Sequence, residues 1–149
     1  MPAFTVFVEG VPVAQGSMIS NGAGRGLRHS NHAKLKPWRY QIMEILNRHR
    51  PADWDPSAAI SLTATFRLQR PQGHYGTGKN ANRLKASAPE FHIVKSDLDK
   101  LLRSILDSIE QSGLARGDQQ VCSINAAKRW CVEPEVPGVL LTLISLPDS

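Results

Sequence analysis

The chain has 149 residues, of which 41% are hydrophobic and 21% charged, with a formal net charge of +5. These values exclude a disordered tail or a fibrous repeat and suit one globular domain over residues 1–149 with a sizeable core. No apolar run approaches the roughly 20 residues of a membrane-spanning helix, and Cys122 and Cys131 form no CxxC pair, so neither a disulfide scaffold nor a cysteine zinc site is indicated.

The opening Met1-Pro2-Ala3-Phe4 has no basic lead of the kind a signal peptide needs, and a reducing cytoplasm is expected. The basic excess favours an anionic partner, nucleic acid first, with plain solubility as the other explanation.

A first strand is expected over residues 4–9, ended by Gly10 and Pro12. Residues 15–34, rich in Gly, Ser, Asn, His and Arg, read as an irregular basic loop. Pro37 suits the first turn of a helix, which Trp38, Ile42, Ile45, Leu46 and His49 continue at helical spacing until Pro51. Ile60, Leu62, Ala64, Phe66 and Leu68 alternate with Ser61, Thr63, Thr65 and Arg67, the pattern of a half-buried strand. Residues 69–90 have no apolar period and read as a mobile basic loop.

A second helix is expected over residues 97–112, with Leu98, Leu101, Leu102, Ile105 and Ile109 as its core stripe and Gly113 as its stop. Residues 121–130 and 139–146 complete the set as strands. Four strands and two helices in mixed order predict an α+β fold, a mixed or antiparallel sheet with the helices on one face.

The chemistry concentrates on this second helix. Asp97 falls near its N-cap, Asp99 in its first turn, and Asp118 just beyond its end, so the three converge if the chain doubles back. Two explanations stand side by side. Aspartates at a helix start are favoured by capping and by the helix dipole, and Asp118 after Gly117 fits a turn. Alternatively, clustered carboxylates repel one another and are held together by a cation. Mg²⁺ takes hard oxygen ligands at about 2.0–2.1 Å and activates water for phosphodiester hydrolysis. Arg103 lies four residues after Asp99 on the same helical face, where it forms a surface pair or stabilises developing negative charge. No Ser/His/Asp or Cys/His arrangement competes, and no glycine-rich phosphate loop precedes a helix.

Basic residues flank this region. Arg25, Arg28, Lys34, Lys36, Arg39, Arg48 and Arg50 form one group, and Arg67, Arg70, Lys79, Arg83, Lys85 and Lys95 a second that leads into the acidic helix. Phosphate contact by the second group is expected to be salt-dependent and largely blind to base sequence. His74 and Tyr75 are candidates for stacking on a base, and His92 for proton transfer or metal binding, although loop residues of these types are commonly structural. His29 and His32 read as surface residues, Asp107 as a surface or dimer contact, and Trp38, Trp54 and Trp130 as core or interface.

At Lys95-Ser96-Asp97-Leu98-Asp99-Lys100-Leu101 and Gly117-Asp118-Gln119-Gln120-Val121 the chain resembles the RusA family of Holliday junction resolvases of bacteria and phages. That family carries an Asp-x-Asp-Asn-Leu element, a lysine four residues after the second Asp, and an Asp-Asp-x-Gln-Val element. The intervening stretch with Leu106-Asp107-Ser108-Ile109 and Gly113 has about the family's length, and Lys128 falls where the family tends to carry a lysine. The opening strand followed by Gly10-Val11-Pro12 agrees less specifically.

The resemblance implies a Mg²⁺-dependent endonuclease, with Mn²⁺ able to substitute, that resolves four-way or related branched DNA by paired symmetric nicks, acting as a homodimer. Asp97, Asp99 and Asp118 would be its catalytic and metal-binding carboxylates, and Arg103 stands at the position of the catalytic lysine. Lys79, Arg83, Lys85, Lys95, Lys100 and Lys128 are the expected DNA contacts. Lys100, Arg103 and Gly117 depart from the pattern: Arg103 keeps the charge but does not readily give up a proton. The alternatives are a non-catalytic DNA-binding protein with the same fold, or a small basic interaction module with a merely structural acidic helix.

Overall fold

The computed structural model describes residues 1–16, 18–29 and 31–148; the side chains of Met18, Arg28 and His29 are also outside the described set. Its larger strands are β1 (Ala3–Glu9), β4 (Ala59–Leu68), β5 (Val121–Trp130) and β6 (Gly138–Leu146), with a small hairpin of β2 (Met18–Ser20) and β3 (Leu27–His29). The helices are α1 (His32–His49) and α2 (Leu98–Gln111). The four-stranded sheet has the order β1-β6-β4-β5; β6 runs antiparallel to β1 and β4, whereas β4 and β5 are parallel. This mixed sheet with two helices is the α+β arrangement expected.

Period-two alternation builds the core. Cross-strand register aligns Val6, Leu141 and Ala64 in one row and Val8, Val139 and Phe66 in the next, all buried. Trp38, Ile42 and Leu46 of α1 and Leu101, Ile105 and Ile109 of α2 join them in one cluster, and Leu35 of α1 is buried as well. Each fully buried aliphatic side chain contributes about 1.5–3 kcal/mol. Ser104 and Ser108 are buried on α2 as well, and their hydroxyls donate to the carbonyls of Leu101 and Ser104 at 2.7 Å, so neither is left unsatisfied. Trp38, Trp54 and Trp130 are all buried, and the Trp54 indole donates to Leu114 O at 2.9 Å.

Helix α2 matches its expected limits, with Asp97 as N-cap and Gly113 left-handed at φ 83°. Helix α1 begins a turn earlier than expected and holds Pro37 in its interior, because buried Leu35 extends the apolar stripe upstream of Trp38. Part of the supposed irregular loop before it is the β2–β3 hairpin. The 69–90 segment, expected to be irregular, contains hydrogen-bonded turns. Gly76 N donates to Arg83 O and Lys85 N to His74 O, each at 2.9 Å, with a bridge between Tyr75 and Leu84.

Gly138 is the tightest point between β1 and β6. A Cβ there would meet Val8 O at 2.3 Å and the Phe7 ring at 2.5 Å. Because the first obstacle is backbone, Gly138→Ala is expected to separate the strands, costing about 1–3 kcal/mol and lowering Tm by roughly 3–10 °C. An unchanged Tm in thermal denaturation would contradict that packing.

Candidate active site

The acidic residues sit on the crossover from β4 to β5. Asp97 caps α2 in position only: its side chain makes no capping hydrogen bond, and the helix opens on the bond from Leu101 N to Asp97 O at 3.0 Å. Its carboxylate is exposed, with Lys100 Nζ at 3.9 Å. Asp99 lies in the first turn and is exposed too. A cavity of about 280 Å³ opens beside Asp97, lined by Ala14, Gln15, Gly16, Lys95, Ser96 and Lys100. Its far wall is pinned: Gln15 N donates to Lys100 O at 3.1 Å, Gly16 N to the Asn31 side chain at 3.0 Å, and the Asn31 amide to Ala14 O.

Asp118 occupies a short 3-10 turn just before β5 and faces α2. Arg103 donates to it at 2.5 Å and to Asp107 at 2.8 Å, so the guanidinium bridges two carboxylates. Arg103 therefore pairs with Asp107 and Asp118, where the sequence pointed to Asp99. Bonding to Arg103 lowers the Asp118 pKa below its ordinary 3.8, and the same contacts raise that of Arg103. The exposure of both partners makes the pair a weak stabiliser; its effect is on where Asp118 points.

Asp97, Asp99 and Asp118 are the hard oxygen donors that a divalent cation such as Mg²⁺ takes. Their chemistry fits, but their grouping does not: among the described residues no three His, Cys, Asp or Glu side chains form a metal-holding cluster. In this chain Arg103 is the cation against Asp118.

The basic residues divide sharply. Arg67 lies over the Phe7 ring and 3.5 Å from Glu135, and Arg70 lies over Trp130 and donates to Pro89 O. Arg48 pairs with Glu44, and Arg50 donates to Asn47 and Ser112. Lys79, Arg83, Lys85, Lys95 and Lys100 stay exposed. Lys128 donates instead to Val94 O and Ser96 O, both at 2.8 Å. Of the proposed stacking residues, His74 packs edge-on against Trp130. His92 is buried beside Trp130, its pKa lowered first by burial and then by the charge of Lys128. His32 is exposed on α1.

Three features escaped the sequence reading. Asp107 is the second anchor of Arg103, visible only as a four-residue spacing. Gln120 receives the amides of Arg116 and Gly117 and donates to Pro56 O and Ala58 O at 2.9 Å, which ties the Asp118 turn to the approach of β4. Phe91, Ile93 and Val94 stand 71%, 83% and 56% exposed, an apolar strip on the path to Asp97. Gly117 itself is extended at φ −161°, a conformation open to any residue.

Set against known protein families, residues 9–138 match Endodeoxyribonuclease RusA. The match spans most of the 149 residues, and the chain belongs to the RusA family of endodeoxyribonucleases. A comparison with curated proteins found no match.

Arg103→Met removes the guanidinium whose contact lowers the Asp118 pKa. The Asp118 pKa is expected to rise toward the ordinary 3.8. Since the folded value is the depressed one, the contact stabilises above the ordinary carboxylate range and fades as pH falls through the lowered value. Carboxyl NMR titration checks this, and an unmoved Asp118 would show that Arg103 does not set its charge.

Proposed function

We propose that this protein is a structure-selective endodeoxyribonuclease that uses Mg²⁺, or Mn²⁺ in its place, to resolve four-way or related branched DNA by paired symmetric nicks. The observation that carries the proposal is the family match over residues 9–138 enclosing a helix that begins Asp97-Leu98-Asp99 and faces Asp118 across Arg103. When bound, the cation activates water and neutralises charge on the phosphoryl oxygens.

In this reading Asp97, Asp99 and Asp118 would hold the cation, and Asp118 would have to give up its contact with Arg103 to do so. Arg103, always charged, offsets negative charge growing on the phosphoryl group and does not serve as proton donor. Lys79, Arg83, Lys85, Lys95 and Lys100 meet phosphates of the junction arms, giving salt-dependent binding. Two nicks related by a two-fold axis call for two sites, which a C2 homodimer supplies. The setting is the cytoplasm of a bacterium, with a bacterial or phage gene; no helix among the described residues is long and apolar enough to cross a membrane.

One observation favours a second reading. The Arg103–Asp118 contact satisfies the third carboxylate without a metal, as a non-catalytic DNA-binding protein of this fold would also do. Asp97→Asn separates the two. It is expected to lower junction cutting by about 10²-fold or more, the scale of losing one electrostatic stabiliser, while junction binding persists. Equal cutting by the variant removes Asp97 from the site. A wild-type protein that binds junctions yet nicks none with Mg²⁺ or Mn²⁺ supports the non-catalytic reading.

A further inference from the structure

Lys128 stands where the sheet calls for an apolar side chain. The row Val8, Val139 and Phe66 ends on it, because Phe66 pairs with Lys128 across the parallel β4–β5 ladder. Its neighbours along the strand's inward face are half-buried Ala126 and buried Trp130. Lys128 is itself half-buried, its stem lying along this face while its ammonium finds two acceptors.

Both of its bonds go to one short segment. The ammonium donates to Val94 O and Ser96 O, each at 2.8 Å. These carbonyls belong to irregular backbone between the 69–90 segment and α2 and have no ladder or helix to join. The next residue is Asp97, whose own carbonyl receives the first bond of α2. Two bonds from β5 thus fix the chain one residue before the candidate ligand, at the wall of the cavity formed by Lys95, Ser96 and Asp97. Burial lowers the pKa of His92, and the charge of Lys128 lowers it further.

We infer that Lys128 is a positioning residue for the candidate site: it orients Asp97 and the first turn of α2 through the carbonyls of Val94 and Ser96, and does not act as a phosphate contact. The role in cutting rests on the proposed endonuclease activity, whereas the clamp itself does not.

The test uses Lys128→Gln and Lys128→Arg in the full-length protein. In free Lys128→Gln, amide hydrogen exchange over residues 93–99 is expected to quicken, with Lys128→Arg closer to wild type. On a synthetic four-way junction, kcat is expected to fall tenfold or more while KM and the salt dependence of binding stay unchanged, again with partial rescue by Arg. A phosphate contact behaves otherwise: its loss lowers the slope of log K against log salt by about 0.9 and weakens binding. That slope change, or unchanged exchange over 93–99, overturns the inference. Should Lys128→Gln not fold, Lys128→Met, which keeps the apolar stem and loses the ammonium, decides: quickened exchange over 93–99 and lowered kcat at constant slope support the clamp, and a changed slope or wild-type exchange refutes it. Failure of the wild-type protein to cut refutes the endonuclease proposal, and the exchange result still judges the clamp.

Discussion

Parallel neighbours β4 and β5 cannot be joined by a tight turn, and the chain must cross over between them. Helix α2 is that crossover, and every charged group of the candidate site lies on it or on its two connections. Side chains at the two ends of β5 brace both connections. Gln120 holds the turn that enters β5 against the approach of β4, and Lys128 holds the segment that enters α2. Between them Arg103 spans from the helix to Asp118. The apolar stripe of Leu101, Ile105 and Ile109 fixes which face of α2 is turned to solvent, and so where Asp97, Asp99 and Arg103 can reach.

Charge in this molecule is sorted by position more than by number. The net charge of +5 suggests a broad basic surface, but several arginines work internally. Arg129 and Glu135 form a bidentate pair at 2.7 Å that holds the Glu135 pKa down at about 2. Arg67 and Arg70 cover aromatic rings, and Arg50 closes the end of α2. Five exposed cations, Lys79, Arg83, Lys85, Lys95 and Lys100, lie on the segment that leads into Asp97 and on the first turn of α2, while exposed Lys34 and Lys36 lie on α1 and exposed Arg116 precedes the Asp118 turn.

Much of this was legible in the sequence where one physical signal dominated. The alternation over β4 and the helical stripe of α2 were clean because one face of each is fully buried. The paired motifs around Asp97 and Asp118 pointed to a RusA-like chain, and the family match agrees. What stayed hidden depends on distant contacts. The start of α1 follows from Leu35 packing, which overrides the preference of proline for a first turn. The partner of Arg103 was misjudged because Asp99 and Asp107 are both four residues away, and only the fold brings Asp118 into play. Lys128 looked like one more basic residue until sheet register placed it in an apolar row.

The most direct measurement is product mapping on a synthetic four-way junction, with each strand labelled in turn and Mg²⁺ present. The predicted result is a pair of nicks at symmetry-related positions in opposing strands, absent when the cation is chelated and absent on linear duplex of the same sequence. Junctions that remain intact at protein concentrations that bind them fully, or nicks spread alike over junction and duplex, would contradict it.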